Sequence, residues 1–382
     1  MNIKENPFYL TTIIPEEYFC DRESETKTLN RMITNGNNVT LYSPRRMGKT
    51  GLIYHCFNSE DLNGYYKIFV DLLSTNSLQE FTYLFGTAVF NTLKSKGSKM
   101  LNTLLATLKS LTGKFGVDEK GLPSFNLSLG DITNPTYTLE EVFACIEKAD
   151  KPCIIAFDEF QQVAKYDEKN IEALLRTYIQ RSGNCNFIFA GSESHLLAEM
   201  FNRASRPFFQ STSSLNLRPI AKYKYMDFAS SMFEKFEKKI EPEALSYVYE
   251  LMDGYTYYMQ KVMNEVFSLS NPDDTCTLEM VKDTIKRILE QENNAFSTMI
   301  GTRSLKQKLL LYAIASERLA TQITSETFIS KYALSSASSV QYAIGILIKD
   351  NLVSKIFRNE ETTYIINNKF FEIWLRQKYG NN

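Results

Sequence analysis

The stretch L-Y-S-P-R-R-M-G-K-T, residues 41–50, decides the fold. It follows the β-branched run N-V-T-L-Y at 38–42 and precedes the helical sequence T-G-L-I-Y-H-C-F-N at 50–58, so we expect a strand, a loop and a helix in succession. The G-K-T at 48–50 matches the end of the phosphate-binding pattern G-x-x-x-x-G-K-[ST], but Ser43 stands where that pattern has glycine. The alternative is an ordinary exposed turn, and other parts of the chain must decide.

The loop has the chemistry that phosphate binding requires. Backbone N–H groups of such a loop and of the helix that follows it surround the phosphates of a nucleotide. Lys49 would place its ammonium beside these phosphates, and the Thr50 hydroxyl would bind Mg²⁺. Gly48 would let the backbone approach a phosphate without a Cβ.

A second motif, I-I-A-F-D-E-F at 154–160, has the form of a buried strand that ends in two acids. In an NTPase of this kind, Asp158 would hold Mg²⁺ and Glu159 would polarise the attacking water. The alternative is a strand that ends in two solvated carboxylates. A nucleotide site would be absent only if both motifs had their alternative explanation, an exposed turn and a pair of solvated carboxylates. The presence of the two motifs in one chain therefore favours a nucleotide site.

Polar and basic residues follow the later strands. Ser192 ends the apolar strand F-I-F-A-G-S and would sense the γ-phosphate, unless it is a plain strand-to-loop exit. Arg203, Arg206 and Arg218 come next, and one of them, with Arg206 preferred, would reach a γ-phosphate in the same chain or in a neighbour. Surface arginines are also common, so none of the three is assigned by its position alone.

Strands alternate with helices along the first half of the chain, which predicts an α/β fold with a mostly parallel five-stranded sheet and helices on both faces. We expect a core at 1–220 with an insertion at about 74–137 that contains two helices and a hairpin at 121–131. Thr138 is predicted to cap the helix after the insertion. Residues 221–300 are predicted to form a helical lid, and residues 301–382 are predicted to form a winged helix.

Composition excludes several classes of protein. The 382 residues have a formal net charge of −1, which gives no overall electrostatic attraction to nucleic acid or membrane. The six cysteines are scattered and two histidines are present, so buried free thiols are expected and a zinc site is not. The N-terminus does not have the order of a signal peptide, and no apolar run has the ~18–20 residues of a membrane span. We expect a cytoplasmic protein without a membrane partner.

The order of the short motifs resembles the archaeal-type ATPase family, a branch of the P-loop ATPases near the AAA+ and STAND groups. The resembling stretches are N-P-F near the start, F-C-D-R-E-S-E-T-K-T-L at 19–29, Y-S-P-R-R-M-G-K-T, F-V-D-L, I-I-A-F-D-E-F, F-A-G-S, R-P-F-F, G-Y-T-Y-Y-M-Q at 254–260 and Y-I-I-N-N-K-F-F-E-I-W-L. The resemblance implies ATP and Mg²⁺ as cofactors. The residues discussed above form the predicted catalytic set of Lys49, Glu159, Ser192 and, among the three arginines, Arg206, with Thr50 and Asp158 at the metal. The residues that the resemblance implies at the nucleotide are Arg22 of the R-E-x-E box near the adenine, and Ser43, Pro44, Arg45, Arg46, Met47, Gly48, Lys49, Thr50 and Gly51 of the loop.

Two positions depart from the family pattern. Ser43 replaces a glycine, which would cost about 1 kcal/mol if φ were positive there. Thr256 replaces the proline of the lid motif, a departure that bears on the lid contact rather than on the nucleotide site.

Three functions follow as hypotheses. The first is a slow Mg-dependent ATP hydrolase that acts as a nucleotide-driven conformational switch. The second is a DNA-binding winged helix regulated by nucleotide, because residues 301–382 carry eleven basic and six acidic side chains. The third is a STAND-like switch that binds a protein partner or a second copy of itself, with negligible turnover of ATP to ADP.

Overall fold

The apolar runs of the sequence form strands and the amphipathic runs form helices in a computed structural model, which describes residues 6–94, 98–110, 115–117, 123–125, 127–192, 194–358 and 361–379. The chain divides into two compact units. The core unit consists of Arg22–Pro44 and Gly48–Arg218, and the C-terminal unit of Met1–Asp21, Arg45–Met47 and Pro219–Asn382. The lid and the winged helix are not separated by this division, so our three-part division of the chain stays a prediction.

The strands of the core unit are β1 (Val39–Tyr42), β2 (Tyr66–Asp71), β3 (Phe115–Val117), β4 (Pro123–Phe125), β5 (Cys153–Asp158), β6 (Cys185–Gly191) and β7 (Ser213–Asn216). Its helices are α1 (Glu23–Thr34), α2 (Lys49–Asn58), α3 (Leu78–Leu93), α4 (Ser98–Thr107), α5 (Pro135–Glu147), α6 (Ile171–Arg181) and α7 (Ser194–Asn202). Five strands form one sheet in the order β2-β5-β6-β1-β7, and every pair in it is parallel. The predicted α/β fold is therefore confirmed.

The centre of the sheet is apolar because helices cover both of its faces. Every residue of β5 is buried, as expected for a strand in the middle of a parallel sheet. Phe157 of β5 stacks with Phe187 and Phe189 of β6, at ring-centroid distances of 6.1 and 6.2 Å. These contacts hold the two strands in register, with Phe157 opposite Phe189.

Register also brings the carboxyl ends of the strands to one edge. Tyr42 at the end of β1 pairs with Gly191 at the end of β6, and Asp71 of β2 pairs with Asp158 of β5. In a parallel sheet the loops that follow these ends lie side by side, which is where α/β proteins bind ligands. This edge therefore collects the residues that follow β1, β5 and β6.

One local prediction after the insertion was wrong, and the predicted hairpin is present with different bounds. The cap of α5 is Asn134, whose side chain accepts a hydrogen bond from the Tyr137 N–H, because Pro135 starts the helix three residues before Thr138. Thr138 is buried inside the helix instead. The hairpin is formed by β3 and β4, so its first strand precedes the predicted stretch.

The C-terminal unit begins with helices α8 (Lys222–Lys235), α9 (Pro242–Leu251), α10 (Thr256–Leu269) and α11 (Leu278–Gly301), and the short parallel strands β8 (Lys239–Ile240) and β9 (Thr275–Cys276). It continues with α12 (Leu305–Glu317), β10 (Ala320–Thr321), α13 (Glu326–Lys331), α14 (Ala337–Lys349), β11 (Val353–Arg358), β12 (Glu361–Ile366) and α15 (Lys369–Tyr379). Strands β10, β12 and β11 form an antiparallel sheet, which completes the predicted winged helix. None of the helices within the described residues has both the length and the apolar character needed to span a membrane.

The N-terminal segment packs in the C-terminal unit, although we placed it in the core by its position in the sequence. Phe8 is fully buried and contacts the rings of Phe233 and Phe267, at centroid distances of 5.4 and 5.9 Å. The Asn264 side chain donates a hydrogen bond to the carbonyl of Phe8 (2.8 Å), and Lys224 pairs with Asp21 (2.7 Å). The segment therefore closes the hydrophobic core of that unit.

Candidate functional site

The loop between β1 and α2 holds its lysine inward. Lys49 is the first residue of α2 and is only 6% exposed. Its ammonium donates to the carbonyl oxygens of Ser43 (3.2 Å) and Pro44 (3.4 Å), so the loop folds around the charge that would meet a phosphate. Ser43 is buried, and its hydroxyl donates to the Pro44 carbonyl (3.1 Å).

The strained position of the loop is Arg46 and not Ser43. Ser43 is absent from the residues with positive φ, so the expected cost of replacing glycine there does not arise. Arg46 has a φ of 70°, where a side chain costs about 1 kcal/mol relative to glycine. Gly48 has a φ of 88°, and an added Cβ there would meet no atom within 4 Å. The backbone beside Gly48 is thus open to a ligand.

Asp158 lies at the end of β5 against the start of α2. Its Oδ2 accepts a hydrogen bond of 2.6 Å from the Thr50 hydroxyl, so the two predicted metal ligands are neighbours. Burial is the main cause that raises the pKa of Asp158, and the charge of Glu159 raises it further, against the hydrogen bond from Thr50 and the charge of Lys49. A buried carboxylate whose charged form is disfavoured in this way gains from a cation.

A magnesium ion fits this pair. Mg²⁺ prefers oxygen ligands and binds through one or two carboxylates, phosphates and water rather than through a complete protein cage. Thr50 and Asp158 supply one hydroxyl and one carboxylate. Among the residues that the structure describes, no group of three or more His, Cys, Asp and Glu side chains could hold a metal without such outside ligands.

Glu159 is held in an unusual conformation. Its φ is 54° and its ψ 38°, a left-handed geometry that costs a non-glycine residue of order 1 kcal/mol and that is common at functional sites. Its Oε2 accepts three hydrogen bonds, from Nε2 of Gln161 (2.5 Å), Oγ of Ser192 (2.7 Å) and the Ser192 N–H (3.2 Å). Burial raises the pKa of Glu159, but the hydrogen bonds from Gln161 and Ser192 and the charge of Lys49 outweigh it and lower the pKa.

The structure therefore joins Thr50, Asp158, Glu159 and Ser192 in one hydrogen-bonded network at the edge of the sheet, with Lys49 next to Thr50 at the start of α2. It includes Gln161, which sequence reasoning did not select. A glutamine beside an acidic strand end carries no recognisable signal, because its role depends on where its amide points.

The middle of the loop belongs to the C-terminal unit. The Tyr257 N–H donates to the Arg46 carbonyl (3.1 Å), and the Arg46 guanidinium lies 4.0 Å from the centre of the Tyr257 ring. The Thr256 hydroxyl is 3.5 Å from the Met47 carbonyl, at the limit of a hydrogen bond. Met47 is buried, whereas Arg46 is exposed. Thr256 thus keeps a contact at the position where the family pattern has proline.

Arg22, predicted to lie at the nucleotide, is buried and makes two hydrogen bonds within the core unit. Its guanidinium donates to Glu25 Oε1 (2.8 Å) and to the Arg218 carbonyl (2.7 Å), which ties the start of α1 to the end of the segment after β7. Gly51 is buried in the first turn of α2. Arg45 is half-buried.

Among the described residues, Arg206, the predicted finger residue, contacts acids outside the network of Thr50, Asp158, Glu159 and Ser192. Arg206 pairs with Glu172 of α6 (3.2 Å) and lies 4.0 Å from Glu199 of α7. Arg203 also pairs with Glu199, at 2.8 Å, and is largely exposed. Both arginines are thus bound to acids of neighbouring helices, and a finger role for Arg206 stays a prediction.

Comparison with protein families decides the family. A family model described as "ATPase domain predominantly from Archaea" matches residues 19–262, well over half of the chain. The chain belongs to this archaeal ATPase family. A second model, described as "Probable winged helix domain", matches residues 294–377. Comparison with curated proteins gave no match.

Solved structures share the fold over nearly the whole chain. The Walker-type ATPase of Pyrococcus abyssi is 18% identical with a TM-score of 0.66, and the match covers 97% of this chain and 99% of that one. The ORC2 protein of Aeropyrum pernix, solved in ADPNP–ADP complexes, is 12% identical with a TM-score of 0.57 and 99% coverage of both chains. The ORC1 protein of Aeropyrum pernix, solved with DNA, is 15% identical with a TM-score of 0.50, and the match covers 97% of this chain and 94% of that one. At these identities the likeness is one of fold.

Proposed function

We propose that this archaeal-type ATPase binds ATP with Mg²⁺, hydrolyses it slowly and uses the bound nucleotide as a conformational switch. The observation that carries the proposal is the hydrogen bond between Thr50, which follows Lys49 at the start of α2, and Asp158, which in turn accepts a hydrogen bond from the Glu159 N–H. A cation for phosphates, two oxygen ligands for Mg²⁺ and a carboxylate for water are the parts that phosphoryl transfer requires.

In this proposal each residue has one task. The N–H groups around Gly48 bind phosphate oxygens, and Lys49 exchanges its two carbonyl acceptors for phosphate. Thr50 and Asp158 hold Mg²⁺, which would neutralise charge on the phosphates. Glu159 orients a water towards the γ-phosphate, while Ser192 holds its carboxylate.

A switch is favoured by the contacts of the loop. Arg46 and Met47 lie within the loop that would bind the phosphates, and they contact Tyr257 and Thr256 at the start of α10. A phosphate that reshapes this loop would change these contacts directly. The nucleotide could thereby alter the start of a helix that belongs to the same unit as the winged helix.

The test is nucleotide binding and phosphate release by the purified protein and by two variants. Lys49→Ala should weaken Mg-ATP binding, because it removes the charge that faces the phosphates. Glu159→Gln should leave binding close to wild type and lower turnover by about 10²–10⁴-fold. Equal turnover in all three proteins would exclude an ATPase that uses this site. Tight binding of ATP or ADP with no turnover in any of them would instead identify a STAND-like switch.

DNA binding is the second candidate function, and the exposed face of α14 favours it. Tyr342 is 75% exposed there and has Ser338 and Gln341 as exposed neighbours, side chains that can contact bases or backbone. The ORC1 structure was solved with DNA. Titration of duplex DNA at low and moderate salt tests this function: salt-dependent binding that Tyr342→Ala weakens is expected, and no binding at low salt would exclude it.

A further inference from the structure

Gln161 is a buried amide that points at Glu159. It lies in the 3₁₀ helix Phe160–Lys165, its side chain is fully buried, and its Nε2 is 2.5 Å from Oε2 of Glu159. We propose that Gln161 is a positioning residue that orients the Glu159 carboxylate for its reaction with water. This inference rests on the proposed hydrolysis of ATP and adds to it a residue, and a geometry, that the motifs do not contain.

The three donors to Glu159 all bind the same oxygen. Gln161 Nε2, Ser192 Oγ and the Ser192 N–H donate to Oε2, while Oε1 accepts no hydrogen bond from any residue that the structure describes. A carboxylate fixed through one oxygen presents the other in a defined direction. Gln161 and Ser192 approach from different elements, so together they fix both the position and the rotation of the group.

The backbone of β6 makes room for the amide. A Cβ on Gly191 would collide with Gln161 Oε1 and would lie 3.2 Å from its Cδ. Gly191 precedes Ser192, so one short stretch supplies the space for Gln161 and the other two donors to Glu159. Glycine at this position is therefore explained by the Gln161 side chain, and not by its own backbone angles, since its φ is not positive.

Stability alone does not explain a glutamine here. Its Oε1 is buried and has no hydrogen-bond partner among the described residues. Such an unpaired acceptor is destabilising, and an apolar side chain of similar length would remove that cost. A hydrogen bond to a charged group contributes a similar amount. The two effects oppose each other, so methionine at 161 should leave stability nearly unchanged while it removes the donor.

The decisive variant is Gln161→Met, with Gln162→Met as its matched control. Gln162 is the next residue and is not fully buried, and its side chain lies 3.4 Å from the Leu73 carbonyl, away from Glu159. For Gln161→Met we expect a Kd for Mg-ATP within about threefold of wild type and a kcat lower by about ten- to a hundredfold. The thermal midpoint should stay within about 4 °C. Gln162→Met should match wild type in all three measurements.

A structural role would give a different pattern, in which the thermal midpoint, the affinity and kcat fall together. That result would overturn the inference, and so would a Gln161→Met variant with the kcat of wild type. Gly191→Ala should reproduce the loss of kcat with retained affinity, because its Cβ displaces the same amide. Gln161→Asn, whose amide is one methylene shorter, should not restore the rate.

A measurement without nucleotide separates this inference from the proposed function. In a double-mutant cycle on urea unfolding, Glu159→Gln and Gln161→Met should be non-additive, because the two side chains are in contact. Additive effects would contradict the contact itself. If wild type shows no turnover, the proposed hydrolysis fails, and this cycle still decides whether Gln161 holds Glu159.

Discussion

At the scale of the residue, the loop shows that a departure from a motif and a cost in energy need not coincide. Ser43 breaks the glycine pattern, yet it is not among the residues with positive φ. The left-handed position belongs to Arg46, whose φ is 70°. The Arg46 guanidinium lies over the Tyr257 ring, a contact that contributes about 0.5–1 kcal/mol at an exposed site and so offsets the strain.

Arg46→Gly should therefore be more stable than Arg46→Ala by about 0.5–1 kcal/mol, since both lose the contact with Tyr257 but only glycine relieves the backbone. Free energies of unfolding from urea denaturation measure the difference. Arg45, whose φ is not positive, is the matched control: there alanine should be more stable than glycine. If alanine were more stable than glycine at both positions, the left-handed backbone at Arg46 would carry no measurable strain.

At the scale of the element, sequence patterns predicted the strands of the sheet well, because β1, β5 and β6 are nearly continuous buried runs and β2 and β7 have an alternating pattern. The five strands of the sheet, the acids at the end of β5 and the serine after β6 follow from such local patterns. The first residues of helices were harder to predict from sequence, because the choice between Asn134 and Thr138 as the cap depends on how early Pro135 allows the helix to begin. The contact between Gln161 and Glu159 could not be predicted, since no local sequence pattern indicates the direction in which a side-chain amide points.

Asn134→Ala should destabilise the core unit by about 1 kcal/mol, because the first turn of α5 loses the acceptor for the Tyr137 N–H. Asn134→Ser should retain most of the stability, since serine is an equally good cap. Thermal unfolding of the three proteins gives the comparison. A serine variant as unstable as the alanine variant would show that Asn134 acts through something other than its cap.

At the scale of the whole chain, distant segments meet in a partly buried cluster of charges within the C-terminal unit. Lys369 of α15 is 2% exposed and pairs with Glu372 (2.7 Å) and with Asp253 (2.6 Å), which lies between α9 and α10. Arg318, at the end of α12, pairs with Asp253 and lies 3.8 Å from Glu372. The cluster links the helices predicted as the lid to the winged helix. Neither its members nor the burial of Phe8 could be predicted, because both depend on contacts between residues far apart in sequence.

Lys369→Met should destabilise the C-terminal unit by about 1–3 kcal/mol, because Asp253 and the fully buried Glu372 would lose their ion pairs with Lys369 and keep the contacts with Arg318 and Arg376. Hydrogen exchange should show lower protection in both α10 and α15, since the cluster joins them. Lys306→Met, at an exposed position of α12, is the control and should change stability by less than about 0.5 kcal/mol. Loss of protection confined to α15 would contradict a joint role of the cluster.

The cluster also predicts how stability depends on pH. Burial is the main cause that raises the pKa of Glu372 above 4.5, and Asp253 raises it further, against the opposing charges of Lys369 and Arg318. The folded state therefore binds the proton of Glu372 more tightly than the unfolded state, so this residue's contribution to stability is complete below pH 4.5 and is lost as the pH rises through the folded pKa. Urea unfolding of wild type and Glu372→Gln between about pH 5 and pH 8 tests this dependence. The free energy of unfolding of wild type should fall relative to that of the variant as the pH rises, and a rising difference would mean that the pairing with Lys369 outweighs the burial.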